Sequence, residues 1–211
     1  MMQCPLCNTQ LKTIFFSEKE QIYYKCPGCD AVVKDNKLYL PSQAEKERYQ
    51  LHNNDIFDPR YREFVSPITN AIRKDFLPDD TIGLDFGAGE GSAIAQVLKE
   101  NNYQLNLYDP FFYPDKSVLN RTYDYIICCE TMEHFHFPYK EFTLLKSLLK
   151  PYGKLYCMTH ILRETISFPD WYYKNDPTHV FFYTEKTLYW IAESLGFKKV
   201  VIEDRLIVFE V

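Results

Sequence analysis

The chain of 211 residues has no run of about 18 or more apolar residues, the length a helix needs to cross a bilayer, so no membrane span is expected. No apolar h-region follows the opening Met-Met-Gln-Cys-Pro-Leu-Cys, which excludes the secretory-signal pattern and points to a cytoplasmic protein. Positive charge is not in surplus. The 24 Lys and Arg stand against 29 Asp and Glu, giving a formal net charge of -5, and no stretch reads as a polybasic tail. Binding to a nucleic-acid backbone needs a broad basic footprint, so that class is disfavoured. There is no internal repeat and no low-complexity stretch. What is present is an ordinary globular balance, 46% hydrophobic and 25% charged, with 17 Tyr and 16 Phe. That suffices for one medium domain with a small appendage, and some of the rings can line a pocket for a flat or apolar ligand.

Seven cysteines in a reducing compartment do not make a disulfide framework. Four of them form two knuckles, Cys4-Pro5-Leu6-Cys7 and Cys26-Pro27-Gly28-Cys29, with 18 residues between. Two C-x-x-C pairs at this spacing match a closed tetrahedral zinc site, which is structural because no coordination position stays open. The β-rich runs Leu11–Phe16 and Gln21–Lys25 can pair as a hairpin between the knuckles, and Leu38–Leu40 reads as a further short strand. A segment this small buries little, so the metal would supply its folding energy. Cys128, Cys129 and Cys157 sit in apolar runs and read as core.

Residues 1–40 therefore read as a zinc ribbon, 41–57 as a linker helix and 58–211 as an α/β domain. Ser42-Gln43-Ala44-Glu45 has the form of a capping box opening the linker helix, which the asparagines after His52 would stop. Asp58-Pro59 opens a second helix with Phe64, Val65, Ile68, Ile72 and Phe76 on one face. From Thr81 strands and helices alternate. Strands are expected over 81–86, 104–108, 123–129 and 154–159, and helices over 92–100, over 138–150 (stopped by Pro151 and Gly153), and from Thr184 to Gly196. This order predicts a doubly wound, mostly parallel sheet. The last two runs, Lys198–Glu203 and Leu206–Val211, are too close for a crossover and must form an antiparallel hairpin.

Leu84-Asp85-Phe86-Gly87-Ala88-Gly89-Glu90-Gly91 lies between a predicted strand and a predicted helix. Glycines there let the backbone approach a ligand, and the helix N-terminus offers unpaired N–H groups. Asp109, at the end of the next strand, can accept from ribose hydroxyls. The G-x-G-x-G spacing departs from the dinucleotide-binding G-x-G-x-x-G and disfavours a nicotinamide dehydrogenase.

From Asp58 to Val211 these features resemble the Rossmann-like class I S-adenosylmethionine-dependent methyltransferases. Leu84 to Gly91 is similar to their motif I. Asp109 corresponds to the ribose-binding acid. Tyr123 to His134 resembles the strand-four segment ending Glu-x-x-Glu-His, Leu149-Lys150-Pro151-Tyr152-Gly153 resembles the Leu-Lys-Pro-Gly-Gly turn, and the hairpin resembles the reversed seventh strand. The resemblance implies a seven-stranded-type sheet with S-adenosylmethionine over Gly87, Gly89 and Gly91. Asp85 would support the loop or the cofactor's amino group, Asp109 would hold the ribose, and Glu130 would face the cleft, whereas Asp124 opens its strand at the far end and is structural. Only 14 residues separate Asp109 from Asp124, where the family has a helix and a strand. Ser117-Val118-Leu119 is left as a very short strand, and Phe111 or Phe112 is left to pack on the adenine.

On the acceptor side the candidates are His134 and His179, with His136, His160 and the stretch from Trp171 to His179 beside them. Arg48, Tyr49, His52 and Asn53 of the linker helix could cover the cofactor. The implied reaction is methyl transfer to a small-molecule or protein-borne acceptor. Two alternatives stand beside it. One is an RNA methyltransferase, since the ribbon is similar to that of the zinc-fingered ribosomal RNA guanine methyltransferases, although Cys29 stands where they use a more distant His. The other is a non-catalytic cofactor-binding protein that interacts through its ribbon.

Overall fold

The computed structural model describes residues 2–51 and 55–211. Its N-terminal part carries β1 (Met2–Gln3), β2 (Gln10–Leu11), β3 (Ile14–Glu18), β4 (Gln21–Lys25) and β5 (Val32–Lys34). The expected β3–β4 hairpin between the knuckles is present. Leu38–Leu40 is not a strand. Asp35 caps a 3-10 turn over Asn36–Leu38 by accepting from the Lys37 N–H, and β5 takes the place of the third strand.

Two helices follow, α1 (Ser42–Gln50) and α2 (Pro59–Asp75). The capping box at Ser42 does not form. Pro41 occupies the N-cap, with no side-chain hydrogen bond, and Ser42 is already helical. Asp58 caps α2 as expected, accepting from the Arg60 N–H. Any helix end at 52–54 lies outside the described residues.

The main sheet is built from β6 (Ile82–Phe86), β7 (Gln104–Tyr108), β8 (Tyr123–Cys129) and β9 (Leu149–Met158). The short β10 (Phe181–Phe182) lies elsewhere, and the sheet is completed by β11 (Lys199–Glu203) and β12 (Leu206–Glu210). The helices interleaved with them are α3 (Ala93–Glu100), α4 (Pro138–Ser147) and α5 (Glu185–Leu195). The strand order is β11-β12-β9-β8-β6-β7, parallel through β9, β8, β6 and β7, with β12 antiparallel to both its neighbours. This is the α/β, mostly parallel sheet with a terminal hairpin that the sequence predicts. It has six strands rather than seven, because Ser117-Val118-Leu119 lies in a 3-10 turn, Lys116–Asn120, that Asp115 caps. Fourteen residues leave no room for a crossover helix and a strand as well.

α4 stops at Ser147, three residues short of the expected end, and Leu149 and Lys150 already belong to β9. Pro151 to Gly153 form an irregularity inside that strand, with Tyr152 at φ 67° and a register shift against β8, so they do not terminate the helix.

The two-residue period of the strands divides the core. Ile126, Cys128, Leu155, Cys157, Ile207 and Phe209 point to the face covered by α4, α5 and the N-terminal part. Tyr125, Ile127, Tyr156, Met158 and Val208 point to the face covered by α2 and α3. The N-terminal part joins the first face directly: Cys4, Leu6, Leu11, Cys26 and Cys29 share one buried cluster with Phe142, Leu145 and Leu188. β10 pairs with β5, so two residues from the far end of the chain complete the N-terminal sheet. Among the described residues no helix is long and apolar enough to cross a membrane.

Candidate active site

The cleft opens at the carboxyl ends of β6, β7 and β8, where strand order in an open α/β sheet leaves a crevice. Its volume is about 1090 Å³. α1 and the connection before α5 also contribute to its wall.

The glycine turn leaves β6 with Gly87 at φ 84° and Gly89 at φ 61°, both left-handed. A side chain at Gly87 has no space: a Cβ there would lie 2.3 Å from Thr131 Cγ2. Both glycines line the cleft, whereas Gly91 is not among its lining residues and is not left-handed. Ser92 then caps α3, accepting from the Ala95 N–H at 2.9 Å and donating to Asp85 Oδ2 at 2.5 Å. Burial pushes the Asp85 carboxyl up to about 6, the Ser92 hydrogen bond opposes this, and the charge of Asp109 adds to it.

Asp109 is buried and held by main-chain donors. Oδ1 accepts from the N–H groups of Phe111 (2.8 Å) and Phe112 (3.1 Å), and Oδ2 accepts from Gly89 N–H (3.1 Å). It therefore ties the glycine turn to the loop after β7. A carboxylate has about four lone-pair sites, so capacity remains for a ligand hydroxyl. Phe111 and Phe112 line the cleft beside it.

Glu130 immediately follows β8 and lies in the left-handed region, at φ 46°, a strained conformation for a residue with a side chain. Its Oε1 is buried in the cleft wall without a hydrogen-bond partner, and its Oε2 lies 3.2 Å from Tyr173 Oη. Tyr173 also donates a short hydrogen bond to Glu133 Oε1, and Thr159 donates to Glu133 Oε2 at 3.1 Å. A phenol has one proton. With that proton on Glu133, the contact to Glu130 needs a proton on Glu130 itself. Burial raises both carboxyls above the usual range, and Glu133 raises Glu130 further.

His134 and His179, 45 positions apart, meet with ring centroids 4.8 Å apart. Each is tied to main chain through Nδ1, His134 to Thr178 O at 3.0 Å and His179 to Tyr173 O at 2.7 Å. Both line the cleft, as does His136, which bonds Glu45 at 2.9 Å. His160 does not line it; its Nε2 meets the Tyr172 hydroxyl instead. Of the linker-helix group, Arg48 and Tyr49 line the cleft, while His52 and Asn53 lie outside the described residues.

Asp124 stands at the opposite end of the sheet, accepting from Ile82 N–H and Lys150 Nζ, as a structural residue should. Cys128 and Cys157 are core, but Cys129 is only half-buried and reaches the cleft wall. Glu133, Thr159 and Tyr61 are not among the candidates that the sequence marks, yet Glu133 and Tyr61 line the cleft and Thr159 donates to Glu133. For Glu133 the signal existed, in the second glutamate of Glu-x-x-Glu-His. For Thr159 and Tyr61 there was none, since only packing brings them to the network and the cleft.

The four N-terminal cysteines form a second constellation. The knuckles have matching turns: Cys4 N–H donates to Thr9 O and Asn8 N–H to Cys4 O, just as Cys26 N–H donates to Ala31 O and Asp30 N–H to Cys26 O. Asn8 and Asp30 are both left-handed, at φ 61° and 65°. The sulfurs converge, with Cys4 to Cys29 at 3.6 Å and Cys7 to Cys26 at 3.3 Å.

The family model described as a methyltransferase domain matches residues 57–202. The chain belongs to the methyltransferase-domain family. This methyltransferase matches no curated protein sequence. Its fold is shared by solved structures. A Nostoc punctiforme protein assigned as an O-methyltransferase has TM-score 0.56 and 15% identity over 71% of this chain; the chain spans only 56% of that protein. An Archaeoglobus fulgidus SAM-dependent methyltransferase has TM-score 0.52 and 21% identity, covering 67% of this chain and 72% of the other. The 1,6-didemethyltoxoflavin-N1-methyltransferase of Burkholderia thailandensis, solved with that compound and S-adenosylhomocysteine, has TM-score 0.55 and 13% identity, covering 94% and 99%. At these identities the likeness is one of fold.

Proposed function

We propose that this methyltransferase takes S-adenosylmethionine as its methyl donor and a small-molecule or protein-borne acceptor, and that zinc binds its N-terminal cysteines. One observation carries the donor assignment. The two left-handed glycines that open a path for the ligand are hydrogen-bonded, through Gly89 N–H, to the acid at the end of the adjacent parallel strand. That pairing is where such a sheet receives a nucleoside-bearing ligand.

The donor set fits the cofactor. Asp109 has acceptor capacity for a ribose hydroxyl. Phe111 and Phe112 offer rings to a purine, and the orphaned Glu130 Oε1 awaits a donor from the cleft. Bound there, S-adenosylmethionine supplies a methyl group on a positively charged sulfur. The protein's own work is to position the two reactants and exclude water. α1 does the latter from above through Tyr49, whose ring packs against Phe111 at 5.8 Å and His134 at 5.2 Å. His134 and His179 meet the acceptor. A roofed, aromatic cleft suits a small or inserted acceptor better than a duplex, and the Burkholderia methyltransferase, of similar fold and size, is one whose acceptor is a small molecule.

Four thiolates in two matched turns supply the donors for tetrahedral zinc, whose Zn–S bonds of ~2.3 Å place sulfurs ~3.8 Å apart. The separations of 3.3 Å (Cys7 to Cys26) and 3.6 Å (Cys4 to Cys29) are close to that.

Calorimetric titration with S-adenosylhomocysteine tests the reading. Binding in the micromolar range, with no response to NAD, is expected. A response to NAD and none to S-adenosylhomocysteine would overturn it.

A further inference from the structure

We propose that Glu133, His134 and His179 form a second metal centre, a divalent transition-metal site in the cleft wall that takes an oxygen of the acceptor as a further ligand. The second half of this statement rests on reading the cleft as the site of methyl transfer; the metal site itself does not.

The geometry is specific. Glu133 and His134 lie in the 3-10 turn after β8, and His179 lies just before β10. Main-chain bonds staple these segments together: Val180 N–H donates to Glu133 O at 3.0 Å, and His134 Nδ1 donates to Thr178 O at 3.0 Å. One ligating atom from each of the three side chains lies within 4.8 Å of the others, and His134 Nε2 is 4.0 Å from Glu133 Oε1. Metal bonds of ~2.1 Å allow at most ~4.2 Å between two ligating atoms, so small side-chain rotations close the set.

The second observation is the tautomer. A main-chain carbonyl only accepts, so the bonds from His134 Nδ1 to Thr178 O and from His179 Nδ1 to Tyr173 O place the proton of each neutral ring on Nδ1. Nε2 of each ring then carries the lone pair. Metal-binding histidines are held in this way, with the far ring nitrogen donating to a carbonyl or carboxylate. Glu133 is oriented likewise, since Thr159 donates to its Oε2. At 1% exposure it is fully buried; Tyr173 and Thr159 hydrogen-bond its two oxygens, and a cation would neutralise the charge that remains.

Two imidazoles and one carboxylate suit zinc, iron(II), cobalt or manganese rather than calcium or copper(I). The three ligands found among the described residues are fewer than a metal takes, as in catalytic metal sites and unlike the four-cysteine site. All three residues line the cleft, so the open positions face the bound acceptor.

The full chain, with any affinity tag removed, would be loaded with Zn²⁺, dialysed and assayed for metal by mass spectrometry. Two zinc ions per chain are expected, and one in His179→Gln and in Glu133→Gln. Cobalt substitution separates the sites without any variant. The first equivalent gives the intense thiolate charge-transfer band of the cysteine site, and a second adds only weak visible absorption. Saturation at one equivalent in the wild-type chain would overturn the proposal. S-adenosylhomocysteine titration in parallel keeps the two readings apart: cofactor binding with one metal sinks this centre alone, and two metals without cofactor binding sink the methyl-transfer reading alone.

Discussion

Arg48 Nη2 donates to Asp176 Oδ2 at 2.7 Å, joining α1 to the connection before α5 across the mouth of the cleft. Asp176 is itself oriented by the Thr178 N–H and hydroxyl. The Arg48 side chain keeps 34% exposure, so the pair adds about 1 kcal/mol or less to stability. Arg48→Ala should therefore leave the melting temperature nearly unchanged while weakening S-adenosylhomocysteine binding several-fold, as the roof loosens. A lowered melting temperature with unchanged affinity would make α1 a packing element only.

Gly87→Ala should be severe. The left-handed backbone costs an alanine about 1–3 kcal/mol, and crowding against Thr131 adds a similar amount. Urea denaturation should show a loss of about 2–6 kcal/mol, with cofactor binding abolished. Thr131→Ala in the same chain removes the contacts with both Thr131 Cγ2 (2.3 Å) and Oγ1 (2.5 Å) but not the strain, so it should restore part of the stability.

Phe111→Ala and Phe112→Ala test the adenine contact. If either ring packs on the purine, its loss weakens S-adenosylhomocysteine binding by about 1–3 kcal/mol, as for other aromatic platforms under bases. Unchanged calorimetric affinity in both variants would place the adenine elsewhere.

Asp85 predicts a pH dependence of stability. Its carboxyl titrates at about 6 when folded, against about 3.9 in an unfolded chain, so the native state binds the proton more tightly. The favourable contribution is fully present below pH 4, falls as pH rises, and is lost above pH 6, a change of about 3 kcal/mol. The groups that share this field are Asp109, Tyr61 and Cys129. Asp85→Asn should flatten the stability profile between pH 4 and 7 while keeping an acceptor for Ser92. An unchanged slope would assign the titration to another group.

Metal removal should not release a detached module. Cys4 and Cys29 are buried in the same cluster as Phe142 and Leu188, and β10 completes the N-terminal sheet. Cys29→Ser removes one ligand of the proposed zinc site and should lower both zinc content and the melting temperature of the whole chain, in one transition. Two separate calorimetric transitions in the wild type would contradict this coupling.

Local pattern carried a good deal of this. The knuckle spacing, the glycine turn between strand and helix, Asp109 at a strand end and the close final pair of strands were all legible. Each is a contiguous segment whose backbone preference and hydrophobic period agree with the fold around it. The misreadings came where neighbours compete. Ser42 lost its cap to the extended backbone of Pro41, and Leu149 and Lys150 went to β9 because β8 offered them a partner.

The sequence by itself determined the class of the molecule and the place of its glycine turn, because period, turn chemistry and ligand spacing are local properties. Only the tertiary structure decided the site. It set Glu130 and Glu133 around a single tyrosine proton, brought His179 to His134 across 45 positions, and used Phe181–Phe182 to close the N-terminal sheet. Those contacts join segments whose separate sequences carry no mark of one another. They exist because both faces of one sheet had to be buried, and covering them fixed which ends of the chain would meet.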